Sequence, residues 1–140
     1  MLLDILPIMT TIIVVQNAGS KSVNGKYFYK SADVIPHGFD LVCKQNSWNT
    51  VELWNKLNGN SYYFEKDDGA YIYYNKGDRR WWIDEKGGLG VYIADTDGSV
   101  DAKKYPPVSG YKTLPNAKLP LPNVEILAPE DNQENNNDIL

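Results

Sequence analysis

The sequence predicts an all-β fold: an antiparallel meander of short strands forming a curved sheet or partly closed barrel, with one short helix around 50–57. Three observations carry that expectation. Between Tyr62 and Ala94, four runs rich in Tyr, Phe, Ile, Val and Trp are cut apart by Asp-Asp-Gly, Asn-Lys-Gly-Asp and Glu-Lys-Gly-Gly-Leu-Gly. β-branched and aromatic residues suit pleated strands, and Gly and Asp suit the bends between them. Prolines at 106, 107, 115, 120 and 122 then forbid a central strand and suit a strap lying over a barrel mouth or along a sheet edge. Helix chemistry is concentrated in one place. Asn49 can cap the first-turn amides, Glu52 stands three residues later, Leu53 and Leu57 are four apart, and Gly59 marks a stop.

Taken in order, residues 1–8 read as a loose leader. They are apolar but carry Asp4 and no Lys or Arg, so the basic start of a secretory signal is missing, although cleavage after Ala18 stays open. Met9–Gln16 reads as the first strand. Asn17–Gly25 is turn chemistry, and Lys26–Lys30 is a strand with Tyr27 and Tyr29 on one face and Phe28 on the other. Phe39–Lys44 alternates Phe39, Leu41 and Cys43 against Asp40, Val42 and Lys44, which suggests a half-buried strand. Thr50–Leu57 reads as the helix, with a strand left open by Val51, Leu53 and Asn55.

The meander strands are Tyr62–Lys66, Ala70–Asn75, Arg79–Asp84 and Gly90–Ala94. Alternation places Trp81 and Ile83 in the core, matched by Val91 and Ile93, with Trp82 and Tyr92 outward. Ile72 and Tyr74 share one face of the second strand, and Tyr71 and Tyr73 the other. Asn123–Leu127 suits a final edge strand. Eight to ten strands are expected in one β-rich domain over 9–127. Residues 128–140 form an Asn-rich acidic stretch with too little apolar surface to offset the entropy of ordering.

Composition narrows the function classes. A net charge of −4 argues against general attraction to nucleic acid or anionic membrane. One cysteine and one histidine rule out an internal disulfide and a multi-histidine or Cys/His zinc cluster within one chain. No cofactor is expected. The single thiol suits an intracellular, cytoplasmic setting, or a virion if the source is viral.

Several constellations have ordinary readings. Asp95–Asp101 suggests a calcium loop, but Gly98 stands at position four and Pro106 at position twelve, so it reads as a Thr-Asp-Gly-Ser turn. Arg79-Arg80-Trp81-Trp82 interleaves cations and rings as single-strand binders do, but Asp78, Asp84 and Glu85 surround it. His37 and Cys43 lack the surroundings of a nucleophile and base.

The chain resembles, between Val14 and Val124, a small β module of multidomain proteins from protists, algae and large DNA viruses. The landmarks are Asn17-Ala18-Gly19 with Val23-Asn24-Gly25-Lys26-Tyr27, Tyr62-Tyr63, Trp82-Ile83-Asp84, Tyr92-Ile93-Ala94, Pro106-Pro107-Val108-Ser109-Gly110-Tyr111 and Leu119-Pro120-Leu121-Pro122-Asn123-Val124. Against that pattern, Ser31–Leu57 is an insertion, and Tyr111 stands where Trp recurs. The resemblance implies a β fold and supplies no reaction.

The functional expectation is a non-enzymatic binding or structural module that contacts another protein through an exposed aromatic face. The expected contact residues are Arg80, Trp82, Tyr92, Tyr71 and Tyr73. Aromatic rings beside Asn and Asp make a lectin-like, carbohydrate-binding domain the alternative. A small hydrolase using loop carboxylates or Cys43 is a third reading.

Overall fold

A computed structural model describes residues 8–128. The expected leader and tail lie outside that range, apart from Ala128 and Ile8, and Ile8 is buried against the core. Eight strands form one antiparallel sheet. They are β1 (Ile12–Gln16), β2 (Gly25–Lys30), β3 (Tyr63–Lys66), β4 (Tyr71–Asn75), β5 (Arg80–Asp84), β6 (Gly90–Asp95), β7 (Tyr111–Thr113) and β8 (Asn123–Leu127). The spatial order is β7-β6-β5-β4-β3-β2-β1-β8, a continuous meander closed by β8 returning beside β1. The sheet curls into a half-barrel. β8 meets the loop that leads into β7 where Val124 N–H donates to Val108 C=O at 3.1 Å.

Two helices, rather than one, fill the β2–β3 connection: α1 (His37–Gln45) and α2 (Thr50–Asn58). The expected helix is α2, with Asn49 capping Glu52 N–H at 3.0 Å and Gly59 in the left-handed region at φ 69°. The expected strand over Phe39–Lys44 is instead most of α1. Six residues of alternation fit both periods. Phe39 and Cys43, four apart, are the side chains that α1 buries, and this spacing puts them on one helical face. Pro36 stands just before the first turn, where a missing N–H costs nothing.

The concave face holds the larger core. Ile13, Val15, Tyr27, Phe64, Ile72, Tyr74, Trp81, Ile83, Tyr92, Ala94, Tyr111 and Val124 pack there. Trp81 is fully buried, as alternation predicts. Parity fails in β6. Register runs Ile83 to Tyr92 and then Asp84 to Gly90, so a bulge takes up Val91. One extra residue flips the strand beyond it. Val91 packs in the core as expected, but Tyr92 and Ala94 pack there too, and Ile93, paired with Trp82, leaves it.

Loops close both ends of the curl. At one end Tyr92 Oη accepts from Ser20 N–H at 2.9 Å and donates to Lys118 C=O at 2.6 Å, joining the Asn17–Gly25 turn to the proline strap. Asn24 braces the same turn by bonding both Ala18 N–H and Ala18 C=O. At the other end Trp81 Nε1 donates to Ala102 C=O at 2.9 Å, and Tyr62 Oη to Lys104 C=O at 2.8 Å. Replacing Tyr92 by phenylalanine keeps the ring but strands the Ser20 donor and the Lys118 acceptor. A cost of about 1–3 kcal/mol is expected. Urea unfolding should show it as a lower midpoint at unchanged slope.

Candidate functional site

The five expected contact residues do not share one wet face. Tyr71 and Tyr73 point to the convex side, as alternation predicts, but they are 0% and 4% exposed. Together with Tyr63 they form the floor of a second core whose roof is Phe39 and Cys43 of α1 and Trp54 of α2. Trp54 is the centre of this layer. Its ring lies 5.0 Å from Phe39, 5.3 Å from Tyr63 and 5.6 Å from Tyr73, and its Nε1 donates to Ala32 C=O at 3.1 Å. Tyr63 Oη donates to Val34 C=O, so the segment leading into α1 is pinned as well. Tyr92, expected outward, is inside the curl.

Arg80 and Trp82 are half-buried, and Trp82 packs against this second core. Trp82 stacks on Tyr73 with centroids 6.4 Å apart and planes 30° apart, and its Nε1 donates to Asp78 at 2.9 Å. Arg80 Nε pairs with Asp95 at 2.6 Å, and Lys112 Nζ meets the other Asp95 oxygen at 2.8 Å. These bonds hold the Asp95 carboxyl below its usual range. Both residues are thus engaged within the sheet and its turns.

None of the expected contact residues lies on the outer side of the helical hairpin. Trp48 sits in the α1–α2 turn, where Ser47 takes a φ of 57° and Trp48 N–H donates to Cys43 C=O at 2.9 Å. Its side chain is 53% exposed, unlike the buried Trp54 and Trp81, and Val51 one turn on is also open. A groove of about 640 Å³ runs here, lined by Ser47, Trp48, Asn49, Glu52, Leu53 and Lys56. Behind it the two helices are joined by Thr50 Oγ1 donating to Asp40 at 2.7 Å, and Lys44 pairs with Asp40 at 2.9 Å. The bonds from Lys44 and Thr50 hold the Asp40 carboxyl below its usual range. The available signal was a tryptophan inside polar turn chemistry, Asn46-Ser47-Trp48-Asn49, with no strand or helix period to bury it.

The remaining candidates take structural roles. Cys43 is buried, and that burial raises its thiol pKa against the pull of Thr50. His37 opens α1 with its side chain exposed. In the Asp95–Asp101 loop, Thr96 Oγ1 accepts from Gly98 N–H and Asp97 from Ser99 N–H, bonds of an ordinary turn. Among the described residues no group of three or more His, Cys, Asp or Glu is placed to hold a metal ion. No helix among them is long and apolar enough to cross a membrane. The fold and groove thus define an antiparallel half-barrel capped by a helical hairpin. No protein-family model matches the chain, and neither a curated protein nor a solved structure matches it.

Proposed function

We propose that this protein is a non-enzymatic binding module whose contact surface is the outer side of the α1–α2 hairpin, centred on Trp48, and that its partner is another protein. The observation that carries this reading is the half-exposed Trp48 ring lining a groove in a chain that buries Trp54 and Trp81 almost completely. Burying an exposed tryptophan against a partner removes a large apolar area from water, which is why tryptophan recurs among the residues that dominate binding energy. The lining supports it. Trp48 and Leu53 supply an apolar centre, while Ser47, Asn49, Glu52 and Lys56 supply a polar rim of both charges, the usual anatomy of a protein contact. The free thiol of Cys43 and the absence of any disulfide among the described residues support an intracellular setting, or a virion.

One feature favours a glycan as the second reading. Trp48, Asn49 and Glu52 line the same groove, which offers a ring for stacking and the Glu52 carboxylate for hydroxyl recognition, while the Asn49 side-chain oxygen caps α2.

Trp48→Ala should cost about 1–2 kcal/mol, less than emptying a buried tryptophan site, because about half of the residue is already in water. Affinity capture from an extract should lose its specific partner with Trp48→Ala and keep it with Trp82→Ala. Equal retention by both variants contradicts the proposal. A glycan-array signal that depends on Trp48, without protein capture, selects the second reading.

A further inference from the structure

Among the described residues Asp84 is the one buried carboxylate, it lies across the ladder from Tyr71 of the second core, and the proposed contact surface does not use it. It ends β5 on the convex side and is 4% exposed. Asp84 Oδ1 and Tyr71 Oη are both buried and make no hydrogen bond of good geometry, and the Tyr71 hydroxyl is the one polar side chain near enough to favour the charged carboxyl. Among the described residues no Lys, Arg or His forms an ion pair with Asp84. The cover is α1. Its Gly38 backbone presses on Lys86 C=O and Gly88 N–H in the turn that follows Asp84, and a methyl group built on Gly38 would stand 2.4 Å from that carbonyl.

We infer that Asp84 is a proton-dependent latch for the helical hairpin, seated when the carboxyl is neutral and loosened when it ionises. A neutral acid can sit in an aromatic layer, whereas a carboxylate there with no cation beside it faces a large desolvation penalty that one tyrosine hydroxyl only partly offsets. The sheet cannot relieve it, since β5 is bonded on both sides by β4 and β6. The hairpin can. Its two helices are nine residues each, too short to be stable except by packing on the sheet.

The surrounding groups have few ways to quench the charge. On β4, Tyr71 and Tyr73 have their own pKa values pushed up by burial and by Asp84. Tyr27 of β2 feels Asp84 from the far side of the sheet. On α1, Cys43 faces Tyr71, while Asp40 is engaged by Lys44 and Thr50 and lies close enough to His37 to feel it. In the following turn Glu85 accepts from Ser22 at 2.6 Å, and Lys86 lies beside Gly38 and Gly69. Burial, opposed by the neighbouring Tyr71 hydroxyl, moves the Asp84 pKa up to about 7. Since the folded value lies above the unfolded one of about 4, the folded form holds the extra proton between them. Stability from this group is complete below about pH 4 and is lost as pH rises to about 7.

Cys43 reports the opening, because its thiol lies on the buried side of α1. Its alkylation rate, divided by that of a free thiol at the same pH, should rise at least several-fold between pH 5.5 and 8.5 with a midpoint near 7. Asp84→Asn should abolish that rise. A flat profile in wild type, or the same rise in Asp84→Asn, overturns the latch. Should the variant not fold, the carboxyl carbon-13 titration of Asp84 in the wild-type protein decides. A midpoint near 7 supports the inference, and one near 4 overturns it. Neither readout depends on what Trp48 binds.

Discussion

Trp54→Ala is expected to cost about 3–5 kcal/mol, the range for emptying a buried tryptophan site. The ring is 1% exposed and contacts Phe39, Tyr63 and Tyr73, so its loss leaves a hole at the one place where both helices and the sheet meet. The indole bond to Ala32 goes with it. Much of the loss should fall on the hairpin, because the concave core on the other side of the sheet keeps its contacts. Chemical unfolding should give the lower midpoint. Near-ultraviolet circular dichroism should lose the signal of the aromatic stack, while far-ultraviolet strand signal persists below the midpoint.

Gly88→Ala is expected to cost about 2–5 kcal/mol, combining left-handed backbone strain of about 1–2 with overpacking of about 1–3. Gly88 holds a φ of 92°, and an added Cβ would stand 2.3 Å from Gly38 C=O and 2.6 Å from Val42 Cγ2. The Gly38 contact is backbone, which cannot swing aside, so α1 itself must lift. Gly87 is the control in the same turn. It has nothing within 4 Å of the corresponding position and no positive φ, so Gly87→Ala should stay within about 0.5 kcal/mol. Thermal melts of the two variants side by side check the contrast. Equal stability would mean that α1 does not rest on this turn.

The strands were legible because each carries its own pattern. Tyr71 and Tyr73 against Ile72 and Tyr74, or Tyr27 and Tyr29 against Phe28, divide correctly by period two alone. The turns were legible from glycine and asparagine. Tyr92 was not, since its direction depends on a bulge around Val91, and a one-residue insertion leaves no mark in an alternating run. The helix over Phe39–Cys43 was missed because a six-residue apolar alternation is too short to separate a period of two from one of 3.6.

Burial on the convex side is not legible in the strands alone. A strand sequence shows that Tyr71 and Tyr73 leave the concave core, but not that a helical hairpin later in the same connection covers them. Only the packing of Phe39, Cys43 and Trp54 shows the convex face over Tyr63, Tyr71 and Tyr73 to be a second interior, while Phe28 on β2 stays exposed. That covering moves the open aromatic from the meander to Trp48. The landmark residues of the module resemblance fit a scaffold role. Asn24 braces a turn, Tyr92 ties two loops, and Tyr111 Oη donates to Pro107 C=O at 2.7 Å.

Exchange of the tryptophan indole protons in D2O, followed by nitrogen-15 NMR, tests the central claim most directly. If the hairpin seals the convex aromatic face, the Trp54 indole proton, bonded to Ala32, persists alongside that of Trp81, bonded to Ala102, while that of Trp48 exchanges at once. A Trp54 indole proton that exchanges as fast as that of Trp48 would contradict the sealed face, and the meander would again be open to solvent.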